Sequence, residues 1–228
     1  MFKLLVFDLD GTLVDSREDL AQAINRLLVE RGGRPLERDV VVHMVGEGVE
    51  TLIARAFTAA SLLPVPPDAV ARFRELYGQG LLVHTRPYPG VPEALDELSR
   101  VTALAVLTNK PRQFSETILQ GLGLAAFFGD ILGGDGPHPR KPAPDGLLRL
   151  IEDFDAGVND TLLVGDSAID LRTARAAGTA IALARYGFGF RDVPRDQLRG
   201  DEFIVDAPGD LIAALQDHRP AGAQRPAD

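Results

Sequence analysis

The chain contains no cysteine, which excludes disulfides, thiolate catalysis and cysteine-ligated zinc. Positive charge is also short: the formal net charge is -9, an imbalance that argues against nucleic acid or an anionic membrane as the main partner. An anionic substrate stays possible, because the field inside a cleft can oppose the global sign. Lysine is rarest among the charged residues, occurring only as Lys3, Lys110 and Lys141. No apolar run is long enough to cross a bilayer, and no basic segment, apolar leader or cleavage site precedes the first strand-like stretch, so the expectation is a cytoplasmic protein. The 228 residues have room for one α/β domain with a sizeable insertion, and the 45% hydrophobic content supports a substantial core.

The stretch on which the rest turns is Lys3 to Asp15, KLLVFDLDGTLVD. Leu4-Leu5-Val6-Phe7 is a short continuous apolar run, the signature of a strand buried on both faces as in a parallel sheet. It stops at Asp8, with Asp10 two residues on and Gly11 free to turn the chain. Carboxyl ends of strands line the ligand crevice of an open α/β sheet. Two carboxylates there repel by roughly 4 kcal/mol at 4 Å in an effective dielectric of 20, a cost that a bound cation removes. A lone Asp-x-Asp is equally a polar turn, so the decision rests on the remainder of the chain.

Ser16 with Asp19 three residues on has the form of a capping box opening a helix. Leu20, Ile24, Leu27 and Leu28 then recur at helical spacing. Further amphipathic stripes run from Val49 to Ala60 and from Val70 to Tyr77, and no strand is expected between Asp15 and Leu81. A parallel sheet normally takes its next strand after one crossover helix, so this all-helical stretch is expected to be an inserted lobe. Within it, Val45-Gly46-Glu47-Gly48 is either an anion-binding loop at a helix start or a flexible connection between helices. His43 and His84 have no partner at metal-ligand spacing and read as structural or solvated.

From Val91 onward helices and apolar runs alternate. Strands are expected at Ala103–Leu107, near Ile131-Leu132, at Thr161–Val164, from Thr179 to Ala184 and at Phe203–Val205. The fold class is therefore α/β, a doubly wound, Rossmann-like parallel sheet with an inserted all-helical cap. The expected division is 1–15 and 82–217 for the core, 16–81 for the cap and 218–228 for a disordered tail. Asp8, Thr108 and Asp166 each follow an apolar run directly or one residue later. In a parallel sheet those ends share one edge, an alignment that scattered surface residues would rarely produce.

Asp8-Leu9-Asp10-Gly11-Thr12, Thr108, Lys141 in a Lys-Pro-x-Pro context and Gly165-Asp166-Ser167-x-x-Asp170 resemble, in order and spacing, the four motifs of the haloacid dehalogenase-like hydrolases. The resemblance extends from Lys3 to about Asp217 and implies a Rossmann-like core with a helical cap after the first motif. It implies that Asp8 attacks phosphorus as a carboxylate nucleophile and that Asp10 protonates the leaving alkoxide, then takes a proton from water. Thr108 would bind phosphoryl oxygens, with Asn109 beside it, and Lys141 would neutralise Asp8 and the transferring group. It further implies a magnesium ion on Asp8, Asp166 and the Asp10 carbonyl, with Asp170 as an outer or secondary ligand; nothing in the spacing selects magnesium over manganese.

Asp10 argues against the metal-free, halide-removing members, and the absence of any lysine between 16 and 81 argues against phosphonate cleavage through a Schiff base. Thr108-Asn109-Lys110-Pro111, Gly133-Gly134-Asp135 and the Gly46-Glu47-Gly48 loop are similar to bacterial phosphoglycolate phosphatases. That similarity implies 2-phosphoglycolate as substrate, with Gly46, Glu47 and Gly48 contacting it and a cap arginine such as Arg55 as counter-charge. Sugar phosphates, nucleotides or pyrophosphate, a phosphosugar mutase and, more remotely, a phosphorylation-switch module are the alternatives. The expected partner is a small phosphorylated metabolite, bound to a monomer or homodimer.

Overall fold

A computed structural model describes residues 2–217, so the expected tail at 218–228 lies outside the described residues. Six parallel strands form one sheet in the order β5-β4-β1-β6-β7-β8. They are β1 (Leu4–Phe7), β4 (Ala103–Leu107), β5 (Asp130–Leu132), β6 (Thr161–Gly165), β7 (Ala180–Ala184) and β8 (Phe203–Val205). The remaining two strands, β2 (Val14–Asp15) and β3 (Arg86–Pro87), pair antiparallel with Val14 opposite Pro87.

The central strands are apolar throughout because both faces are covered. Leu5 and Phe7 of β1, Leu104 and Val106 of β4, and Leu162 and Val164 of β6 join one core cluster. Leu4 and Val6, Ala105 and Leu107, and Leu163 join the other. Successive side chains point to opposite faces of a strand, so each run divides its residues between two layers. Helices α5 (Val91–Ser99), α6 (Arg112–Gly121) and α9 (Asp210–Asp217) contribute to the first layer. Helices α7 (Asp145–Asp153) and α8 (Ala168–Ala177) contribute to the second. Strand β1 sits between β4 and β6 in register from Leu4 to Phe7. Its two neighbours come from later parts of the chain on either side, which makes its carboxyl end the switch point where such sheets bind ligands. At its other end Lys3 is exposed, 3.8 Å from Asp160.

Between β2 and β3 the chain is helical, with α1 (Arg17–Glu30), α2 (Arg38–Val42), α3 (Val49–Ala59) and α4 (Ala69–Gly78). Three helices were expected from periodicity; α2 is a five-residue addition, too short to show a stripe. Leu20, Ile24, Leu27 and Leu28 of α1, with Ile53, Phe57, Phe73 and Tyr77, belong to the same core cluster as the first layer.

The expected capping box at Ser16 and Asp19 is not formed. Ser16 sits at the N-cap position but makes no side-chain cap; its hydroxyl donates to Asp10 Oδ1 at 2.6 Å. Asp19, only 3% exposed, accepts from the backbone N–H groups of His84 and Thr85 and from the Thr85 hydroxyl. Ser16 bonds back to Asp10 on the other side of β2 and Asp19 reaches the residues just before β3, and those partners outcompete the local cap. Asp19 thereby ties the first turn of α1 to the segment that leads into β3. Replacing it in Asp19→Ala leaves three donors without an acceptor, two of them on buried Thr85, and should destabilise the protein by about 3 kcal/mol. Urea unfolding would register this as a lower midpoint at unchanged m-value; a loss under about 1 kcal/mol would mean that water replaces the carboxylate.

Candidate active site

The carboxyl ends of β1, β4 and β6 bring Asp8, Thr108 and Asp166 to one edge, and the Lys141 loop joins them there. The ladder continues one residue past β1, with Asp8 N–H donating to Val164 O at 2.8 Å. Asp8 Oδ1 accepts from Leu9 N–H at 2.8 Å and lies 2.9 Å from Lys141 Nζ. The same ammonium is 2.6 Å from Asp170 Oδ1. Asp166 Oδ2 accepts from Gly189 N–H at 2.7 Å. The chain reverses at Gly11, whose φ is +88°, and a Cβ there would collide with the Asp166 carboxylate. Glycine is needed on both counts.

Asp170 is completely buried, and both of its oxygens are engaged. Oδ1 faces Lys141, and Oδ2 accepts from the Ser167 hydroxyl at 2.6 Å and the Ser167 N–H at 3.1 Å. Ser167 and Asp170 form a reciprocal capping box at the start of α8. The helix terminus thereby fixes the carboxylate that holds Lys141.

One oxygen each from Asp8, Asp166 and Asp170 lie within 4.8 Å of one another. Burial raises the Asp8 carboxyl to about 6, opposed by Lys141 and reinforced by Asp170 and Asp10. Burial, with Asp170 and Asp8 adding to it, likewise raises Asp166 well above its ordinary value. Burial works against the Lys141 charge, but Asp170 and Asp8 outweigh it and its ammonium is held more firmly than in water. Three carboxylates facing one lysine leave an excess of negative charge. Hard oxygen donors in this arrangement fit a divalent cation of the magnesium, manganese or calcium type.

Asp10 stands apart from that cluster. Its Oδ1 accepts from Ser16, and its Oδ2 lies 2.8 Å from Lys110 Nζ. Thr108 is buried, and its hydroxyl oxygen accepts from Lys110 N–H at 3.2 Å. The Asn109 carboxamide is fully used: Nδ2 donates to Gly46 O at 2.8 Å and Lys141 O at 2.9 Å, while Oδ1 accepts from Lys141 N–H. It clamps the lysine loop to the helical lobe. The Gly46-Glu47-Gly48 loop does reach the site, lining a cavity of ≈ 210 Å³ with Asp8, Asp10 and Lys110. Glu47 pairs with Arg55 at 2.6 Å.

Three residues escaped the sequence reading. Lys110, one of the three lysines, is a buried partner of Asp10, and its scarcity together with its place two residues after Thr108 was the available signal. Tyr77, read as one member of an apolar stripe, accepts from Lys110 Nζ at 2.9 Å. His43, on the cavity wall, meets Asp192 at 2.8 Å.

The raised carboxyls give the metal-free protein a distinctive acid response. A group whose pKa is higher in the folded than in the unfolded chain adds stability below its unfolded value, lost as pH rises through the folded one. For Asp8, at about 6 against 3.8, that window runs from about pH 4 to about pH 6, and Asp166 acts in the same direction. With chelator present, unfolding free energy should therefore increase on going from about pH 7.5 to about pH 5. Asp8→Asn should flatten part of that rise; an equal slope in wild type and variant would contradict the assignment.

A model of the haloacid dehalogenase-like hydrolases matches residues 5–184. Phosphoglycolate phosphatase of Rhodospirillum rubrum is 40% identical over 197 residues, covering 82% of this chain and 81% of its own. Phosphoglycolate phosphatase of Aquifex aeolicus is 33% identical over 217 residues, covering 95% and 98%. The crystal structure of a predicted phosphoglycolate phosphatase from Haemophilus somnus superposes with a TM-score of 0.86 at 33% identity, over 94% of this chain and 98% of that one. With its carboxylate pair after β1, its lysine loop and its acidic turn after β6, the chain belongs to the haloacid dehalogenase-like hydrolases.

Proposed function

We propose that the chain is a magnesium-dependent phosphatase that converts 2-phosphoglycolate to glycolate and phosphate. The observation that carries this reading is the pairing of Asp8 with Lys141 on the floor of a small cavity, with a second, separately braced carboxylate, Asp10, beside it. Relatives named phosphoglycolate phosphatase, 40% and 33% identical over more than four fifths of the chain, support the substrate. So does the cavity, which is smaller than the ~300–1,000 Å³ of drug-sized ligand sites.

Asp8 attacks phosphorus, forming an aspartyl phosphate as the bond to the ester oxygen breaks. The Asp10 carboxyl gives its proton to that oxygen, then takes one from the water that hydrolyses the intermediate. Lys141 offsets the charge on Asp8 and on the transferring group, held in place by Asp170. The Thr108 hydroxyl and the Asn109 N–H bind phosphoryl oxygens. Magnesium fits Asp8, Asp166 and the Asp10 carbonyl, with Asp170 behind them, and when bound it supplies charge neutralisation between nucleophile and phosphate. Residues 16–81 act as a cap over the 1–15 and 82–217 core, with Gly46, Glu47 and Gly48 against the substrate and water excluded during transfer. The assembly is a monomer or homodimer. A small soluble substrate, and the absence of any membrane-length apolar helix among the described residues, fit a cytoplasmic location.

Phosphate release in the presence of magnesium is the test. The expected kcat/KM for 2-phosphoglycolate exceeds those for hexose phosphates, a nucleoside monophosphate and pyrophosphate by about a hundredfold, or roughly 2.7 kcal/mol. Asp8→Asn should lower kcat at least about a thousandfold. A flat substrate profile would leave a general phosphatase, transfer between sugar hydroxyls without net release would indicate a mutase, and no turnover would refute the reading.

A further inference from the structure

Among the described residues, Lys110 is the one buried charge near the site that the chemistry above leaves unused. Its side chain is 4% exposed, and its ammonium is shared between Asp10 Oδ2 at 2.8 Å and the Tyr77 hydroxyl at 2.9 Å, 4.7 Å from the centre of the Tyr77 ring. Burying an ion pair of this kind is a poor route to stability, because desolvation of both charges offsets their attraction. Lysine also gives up more side-chain entropy on burial than the apolar residues that could fill the same space. Its retention at this spot calls for another role.

Tyr77 belongs to α4 in the helical lobe, whereas Lys110 follows β4 in the core. The tyrosine is held rigidly: it stacks on Phe73 with ring centres 5.6 Å apart, and meets the core residue Phe114 edge-on at 5.4 Å. The ammonium therefore has its place set by where α4 lies. The other oxygen of Asp10 is held by Ser16, the residue that joins β2 to α1. Both handles on Asp10 thus lead to the helical lobe, one through its hinge and one through its docked face.

We propose that Lys110 and Tyr77 are positioning residues for leaving-group protonation, a clamp from both lobes that orients the Asp10 carboxyl toward the ester oxygen while α4 is docked on the core. The inference rests on the phosphatase reading and deepens it. In the step concerned, an Asp8 oxygen bonds to phosphorus and the phosphorus–ester oxygen bond breaks. The electron pair stays on the ester oxygen, which takes the proton from Asp10. The carboxylate left behind is met by donors already in place, Lys110 on one oxygen and Ser16 on the other, so the interaction is strongest as the proton departs. The clamp matters only where the departing oxygen needs a proton.

That dependence supplies the test. An alkyl ester such as 2-phosphoglycolate leaves as a basic alkoxide, whereas p-nitrophenyl phosphate and acetyl phosphate leave as stable anions. The ratio kcat/KM covers events only through the first phosphorus–oxygen cleavage, so it isolates this step. Lys110→Met should lower kcat/KM for 2-phosphoglycolate about a hundredfold, and Tyr77→Phe, which keeps the ring and removes only the hydroxyl, about tenfold. For the two activated esters both variants should stay within about threefold of wild type, and Lys110→Arg should recover part of the loss. Equal losses on all three esters would overturn the clamp in favour of a structural role, as would unchanged 2-phosphoglycolate hydrolysis. Should Lys110→Met fail to fold, Tyr77→Phe carries the same comparison. A wild-type protein that hydrolyses no ester would instead refute the phosphatase reading itself.

Discussion

Three carboxylates and one ammonium share the floor of the cleft, and the chain around them is built to hold that charge in place. Asp8, Asp166 and Asp170 would drive one another apart if the backbone gave way. Each is held by something stiff: Asp8 by the end of β1, Asp166 by the Gly189 N–H, and Asp170 by the capping box that opens α8. Lys141 reduces the repulsion without cancelling it. The unbalanced charge that results has a use, because a site with excess oxygen donors fits a divalent cation and, with it, a phosphate ester. It also has a cost, visible in carboxyls that burial has pushed away from their ordinary acidity.

The helical lobe is fastened to this floor by polar contacts few enough to name. Asp19 closes the hinge, Asn109 ties Gly46 to the Lys141 loop, and Arg140 meets Glu50 at 2.6 Å. His43 reaches Asp192, and Tyr77 reaches Lys110. Several of these pairs are exposed and individually weak in water. The Tyr77–Lys110 contact, like the Asp19 bonds to Thr85, is buried, and it lies directly beside Asp10.

Much of this was legible in the sequence because the physics involved is local. A strand buried on both faces must be apolar throughout, so the inner strands showed themselves as unbroken runs, and the polar residues that ended them marked the cleft. What stayed hidden depended on partners remote in the chain. Ser16 and Asp19 have ideal spacing for a local cap, yet Ser16 turns back past β2 to Asp10, a contact that helical spacing does not describe, and Asp19 bonds the backbone at 84–85, far along the chain. The capping box that does form, at Ser167 and Asp170, was read only as part of an acidic motif. Tyr77 fits an apolar helical stripe and is buried as that stripe requires, but its hydroxyl reaches a lysine 33 positions later. The two-residue strands β2 and β3 carry no periodicity and could not be foreseen.

The distribution of lysine has a practical side. Of the three amines, Lys110 and Lys141 are buried in ion pairs within the cleft, and only Lys3, with its side chain 66% exposed, stands in solvent. It lies at the amino end of β1, the far end of the strand whose carboxyl end carries Asp8. Among the side chains, an amine-directed dye, linker or resin has this one accessible point of attachment. A molecule tethered there would stand with its cleft facing away from the support.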